Sequence, residues 1–118
     1  MVQSLNSKVD LTIKASHLQG LTSQGDVMIG DMAFEYYNER NPNDYIQIPW
    51  TEIELITAAV VFNKKIPRFA IHTKSSGDFI FSTRDNKKTL RAINNYIASD
   101  KLRRSLTIKD EIKRKFGK

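Results

Sequence analysis

The chain has 118 residues, 40% apolar and 27% charged, proportions that suit one globular domain and exclude a disordered or bilayer-spanning chain. It contains no cysteine, so disulfides, thiolate metal sites and a cysteine nucleophile are all excluded. The net charge of +6 is concentrated at the end: residues 101–118 hold eight Lys/Arg against two Asp/Glu, whereas residues 1–100 hold eleven of each.

The opening Met1-Val2-Gln3-Ser4-Leu5-Asn6-Ser7-Lys8 lacks the apolar core of a secretory signal, and no window approaches the roughly 20 apolar residues that cross a bilayer, so the expected location is the cytoplasm. From Lys8 to Gln19 apolar and polar residues alternate, with Val9, Leu11, Ile13 and Ala15 on one side, which predicts a half-buried strand. Gly20 to Gly25 breaks the pattern. A short strand at Val27-Met28-Ile29, a hairpin at Gly30-Asp31 and a return strand over Met32–Tyr37 follow.

Asn38 to Asp44 reads as a polar turn, and Tyr45-Ile46-Gln47-Ile48 as a strand that Pro49 stops. The β-branched and aromatic content of Ile53–Phe62 favours strand over helix. Phe69–Thr73 and Phe79–Ser82 then flank a hairpin loop at Ser75-Ser76-Gly77-Asp78. Asp85 is placed to cap a helix whose apolar stripe is Leu90, Ile93 and Ile97. A second helix is predicted from Thr107, with Asp110 and Glu111 in its first turn and Lys113-Arg114-Lys115 near its end.

The expected fold is therefore α+β and mainly β. About seven antiparallel strands form two bent sheets or an open barrel, closed by a C-terminal helix and followed by a short basic terminal helix. The expected division is a β-rich domain over 1–100 and a basic amphipathic tail over 101–118, with Ala98-Ser99-Asp100 as the junction.

No catalytic constellation emerges from these residues. His17 and His72 lie on different strands without metal-ligand spacing, which favours hydrogen-bonded sheet histidines. Gly20, Gly25, Gly30 and Gly77 match neither phosphate-binding fingerprint and read as turn glycines. Glu52 and Glu54, two residues apart, read as a solvated strand face. Phe34, Tyr36, Phe69, Phe79 and Phe81 read as core, because no basic residues interleave them as a base-stacking platform would need. Trp50 is better explained as core than as an exposed recognition aromatic, and is kept as a weaker binding candidate. No enzyme activity, metal or cofactor is expected.

The tail carries the strongest functional signal. Lys101, Arg103, Arg104, Lys109, Lys113, Arg114 and Lys115 surround an apolar stripe of Leu102, Leu106, Ile108, Ile112 and Phe116. Such a segment suits an anionic membrane surface or a partner's groove. The neutral body weighs against nucleic acid, which would draw cations onto the folded face.

The stretches Met28-Ile29-Gly30-Asp31 through Phe34-Glu35-Tyr36-Tyr37-Asn38, Asp44–Glu52 and Ile66-Pro67-Arg68-Phe69-Ala70-Ile71 closely resemble the ManO family. Met1–Asn6 and Leu90-Arg91-Ala92-Ile93 extend the likeness over nearly the whole chain. That resemblance implies association with the mannose-type phosphotransferase system, as a regulator or adaptor of the sugar transporter, with transporter subunits as partners and no catalytic residues to carry over. A transcriptional regulator of the mannose operon is the alternative. The order of strands followed by a helix also looks like a pleckstrin-homology or GRAM domain, a likeness of architecture alone.

Overall fold

The computed structural model describes residues 3–62 and 64–104. Its strands are β1 (Val9–His17), β2 (Ser23–Gly30), β3 (Ala33–Asn38), β4 (Tyr45–Pro49), β5 (Ile53–Ala58), β6 (Phe69–Thr73), β7 (Asp78–Thr83) and β8 (Leu102–Arg104), with one helix, α1 (Asn86–Ile93). They form one continuous sheet in the order β4-β3-β2-β1-β7-β6-β5-β8. All neighbours are antiparallel except β5 and β8, which run parallel.

The mainly-β expectation holds, with two corrections. The strands make one mixed sheet, because β1 pairs with β7 through Ala15–His17 as well as with β2 along its length. The helix does not close the fold, because the chain continues through a 3-10 turn at Ser99–Lys101 into β8 on the outer edge of β5. The predicted second helix lies outside the described residues.

Alternation explains how this sheet buries a core. Val27, Ile29, Phe34, Tyr36, Ile48, Ile53, Ile56, Phe69, Ile71 and Phe81 all point inward and are nearly or fully buried. Phe34 on β3 and Phe69 on β6 meet edge to face with ring centroids 6.3 Å apart. Four strand spacings separate them in the sheet, about 19 Å if it were flat. The sheet must therefore curl until its two inner faces touch, with Phe81 against Phe34, Tyr36 and Phe69 at the centre. Ile93 and Ile97 complete this core from α1 and the turn after it.

Several local readings change for stated reasons. β2 begins at Ser23, earlier than periodicity suggests, since Ser23–Asp26 pair with Lys14–His17. Gly25 sits inside that strand, where a Cβ would stand 2.0 Å from the Tyr37 carbonyl oxygen, so it marks a close backbone approach and not a turn. Gly30, also within β2, would clash with Asn6 and the Lys8 carbonyl if it carried a side chain. β5 stops at Ala58, and Val61 makes only an isolated bridge to Lys65. Glu52 lies in a 3-10 turn at Trp50–Glu52, not on a strand face shared with Glu54.

The crowding at Gly30 reveals a strap. Asn6 accepts from the Met32 and Ala33 N–H groups through Oδ1 and donates to the Ala33 carbonyl and to Glu35. The fully buried Glu35 carboxylate also accepts from the Ser4 hydroxyl at 2.5 Å and the Leu5 N–H at 2.7 Å. Asp31 binds the Ser7 hydroxyl and the Ser7 and Lys8 N–H groups, and the Ser7 hydroxyl, followed by the Lys8 amide, holds its carboxyl below the usual carboxylate range. Residues 4–8 are thereby fastened across the β2–β3 hairpin.

Candidate docking groove

α1 starts where predicted. Asp85 accepts from the Lys88 N–H at 3.1 Å, and Thr89 and Ile93 turn inward. Asn86 locks the helix in place: its Oδ1 accepts from the Thr83 N–H at 2.7 Å, and its Nδ2 donates to the Ile66 carbonyl at 2.7 Å. The Thr83 and Thr89 hydroxyls lie 2.8 Å apart beneath it. One buried amide thus ties β7, α1 and the β5–β6 loop together.

With Asn86 and Thr89 inward, Lys87 and Arg91 stand exposed one turn apart and Leu90 lies half-buried between them. Across from Leu90 runs β8, with Leu102 opposite Ile56 and Arg103 opposite Thr57. Two adjoining hollows open between them. One, of about 190 Å³, is lined by Ile56, Ala58, Val60, Leu90, Leu102, Arg103 and Arg104. The other, of about 320 Å³, is lined by Ile66, Lys87, Leu90, Arg91, Asn94 and Leu102. Leu90 and Leu102 belong to both, so together they form one groove with an apolar floor and a rim of four cations. Among the described residues no carboxylate lines it.

The field around the groove is stronger than a count over the whole body suggests. Residues 1–63 carry three Lys/Arg and eight Asp/Glu, whereas residues 64–104 carry eleven Lys/Arg and three Asp/Glu. Residues 1–104 are therefore unevenly charged along the chain: the stretch that holds β1–β4 is acidic, and the stretch that holds the β5–β6 loop, α1 and β8 is basic. Sequence reasoning averaged this difference away. It also missed Lys87 and Arg91, although their spacing on either side of Leu90 in a capped helix was a usable signal.

The candidates from the sequence divide cleanly. Arg103 and Arg104 are exposed on β8 and line the groove, and Lys101 ends the 3-10 turn leading into it. Arg103 Nε donates to the Asp100 carbonyl at 3.2 Å, which fixes the base of its side chain. Lys109, Lys113, Arg114, Lys115 and Phe116 lie outside the described residues. Trp50 is buried: Nε1 donates to the Gly30 carbonyl at 2.9 Å and the ring stacks on Tyr96 at 5.4 Å, so it serves the junction between β4 and β5.

Both histidines are hydrogen-bonded on strands. His17 meets Gln19 at 3.0 Å and stacks on Phe81. His72 on β6 lies 2.9 Å from the Thr57 hydroxyl and 3.0 Å from the Asp78 carboxylate, a row across the outer face of β5, β6 and β7. Of the predicted aromatics, Phe34, Tyr36, Phe69 and Phe81 are buried and Phe79 is half-buried.

The loop bordering the groove has one unusual residue. Phe62 has φ of 54°, the one non-glycine residue with positive φ among the described residues, and its ring is 83% exposed. That backbone region costs a side-chain-bearing residue about 1–2 kcal/mol.

The arrangement is a β-rich fold with a basic-rimmed groove between α1 and β8. The family comparison gives it a place: residues 1–116 match the model described as "Domain of unknown function (DUF956)", and the chain belongs to that family. No curated protein matches. Among solved structures the chain is similar to the C-terminal domain of an unknown protein from Leishmania infantum, with a TM-score of 0.65 and 11% identity over 75% of this chain and 82% of that one, a likeness of fold alone. Among the described residues no helix is long and apolar enough to cross a membrane.

Proposed function

We propose that this chain is a non-enzymatic adaptor or regulator of a mannose-family phosphotransferase transporter. It works at the inner face of the plasma membrane by docking an acidic, apolar-faced segment of a transporter subunit. The observation that carries the reading is the groove between α1 and β8: Leu90 and Leu102 offer an apolar seat, while Lys87, Arg91, Arg103 and Arg104 select negative charge along its rim. Apolar anchors supply affinity in such a groove, and the charged rim supplies specificity and association rate.

The resemblance to the ManO family supports the choice of partner. In this reading Lys101 and the tail's Lys109, Lys113, Arg114, Lys115 and Phe116 add further contacts to the acidic partner or the anionic membrane face. The likeness to pleckstrin-homology or GRAM domains also belongs to the reading. Seven antiparallel strands before α1 support it, and β8 is an addition to that plan.

The test is recovery of transporter subunits on the immobilised full chain from detergent-solubilised membranes, where no bilayer remains. Arg91→Glu combined with Arg103→Glu, both at exposed positions, should lower recovery at least about tenfold with the fold intact. Equal recovery removes the groove from the account. Salt-sensitive, sequence-selective binding to operon DNA, abolished by the same substitutions, would replace the adaptor with a transcriptional regulator.

A further inference from the structure

The β5–β6 loop is built in a way that the groove does not explain. Val61 and Lys65 close a tight turn, with the Val61 N–H donating to the Lys65 carbonyl at 2.8 Å and the Lys65 N–H donating back at 3.0 Å. Phe62 projects from the tip of that turn, strained in its backbone and open to water over most of its ring. Exposure of a phenyl ring and a left-handed backbone are both unfavourable in water. The same short stretch carries Lys64, Lys65 and Arg68, all exposed, and contains no acidic residue. Its flanks, Val60 and Ile66, line the two hollows, so the tip stands on the basic side of the molecule.

An exposed apolar ring on a turn whose following residues include three exposed cations is chemically matched to an anionic bilayer. The ring can enter the boundary between headgroups and acyl chains while the ammonium and guanidinium groups remain at the phosphates. A protein groove would require a concave, acidic counterpart, whereas a projecting tip presents itself best to a soft surface. We infer that the β5–β6 tip is a membrane-insertion point, with Phe62 as the wedge and Lys64, Lys65 and Arg68 as its phosphate contacts. This contact is separate from the groove, and it would hold the groove at the height of a transporter's membrane-proximal segments.

The experiment is co-sedimentation of the full chain with phosphatidylglycerol-rich vesicles and, in parallel, with pure phosphatidylcholine vesicles, at low and moderate salt. Wild type should bind the anionic vesicles and not the neutral ones. Phe62→Asn leaves every charge in place and suits a positive φ, so it should melt at or above the wild-type temperature yet bind anionic vesicles about tenfold more weakly. Phe62→Trp should keep binding and shift its emission to the blue with anionic vesicles, over the constant signal of buried Trp50.

Undiminished vesicle binding by Phe62→Asn would overturn the proposal, as would a Phe62→Trp emission unchanged in sedimenting complexes. Absence of wild-type binding to anionic vesicles would do the same. Recovery of transporter subunits in detergent should be unaffected by Phe62→Asn, so failure of this inference and failure of the groove reading are told apart.

Discussion

Tyr96 shows how a single side chain can bind distant parts of this chain to one another. Its ring stacks on Trp50, and its hydroxyl donates to the Asp10 carboxylate on β1. That hydrogen bond, followed by burial, pushes the phenol from 10.0 up to about 12. Because the folded value is raised, the contribution to stability is complete below the unfolded value and disappears as pH climbs through the folded one. The denaturant midpoint should therefore fall between about pH 10 and pH 12, and Tyr96→Phe should flatten that part of the profile. An unchanged slope in the variant would remove Tyr96 from the alkaline transition. Nothing in the sequence announced this pair, since Asp10 and Tyr96 are 86 residues apart. Trp50 was more legible: an indole next to a proline at a strand end was best explained by burial, and burial is what it shows.

At the scale of elements, Asn86 does more than its position suggests. It is the first residue of α1, where an asparagine reads as an ordinary helix-start residue, yet its amide joins β7, the β5–β6 loop and the helix. Asn86→Ala would strand a buried N–H on Thr83 and the carbonyl of Ile66. The expected loss is about 2–4 kcal/mol, read as a shift in the urea midpoint. Val60 and Ile66 should show the accompanying loosening as faster amide exchange. A loss near zero would mean that water replaces the amide without cost.

The same scale shows where sequence patterns succeed. Alternation and turn signals found β1, β3, β4, β6 and β7, β-branched and aromatic content found β5, and the cap found α1, because those signals are local. Alternation failed at the start of β2, where Ser23–Asp26 are polar or lack a side chain, so pairing with β1 and not hydrophobicity makes the strand. It failed again at β8, where three residues are too few to show a period and the parallel partner lies 46 positions away. The strap was invisible for a similar reason. Ser4, Asn6 and Ser7 look like a polar terminus until Glu35 and Asp31 are placed opposite them.

For the whole molecule, the groove follows from two facts that no single stretch reveals: the sheet curls, and the chain returns to its far edge after α1. The curl itself was half legible, since one helix with a narrow apolar stripe cannot cover eight inward-facing strands and the sheet must largely cover itself. Lys101, Arg103 and Arg104 were named from composition alone. Their partners in the groove, Lys87 and Arg91, needed the fold, because the sequence separates them from β8 by the turn that follows the helix.

The division of charge between residues 1–63 and 64–104 has a consequence of its own. A molecule with a negative pole and a positive pole has a large electric dipole moment, which exerts a torque whenever the molecule approaches a charged surface. It should dock with a fixed orientation before any specific contact forms. Despite a pI near 9.7, it should be retarded on an anion-exchange resin as well as on a cation exchanger at neutral pH and low salt. Both retentions should vanish together once the Debye length falls below the distance between the poles.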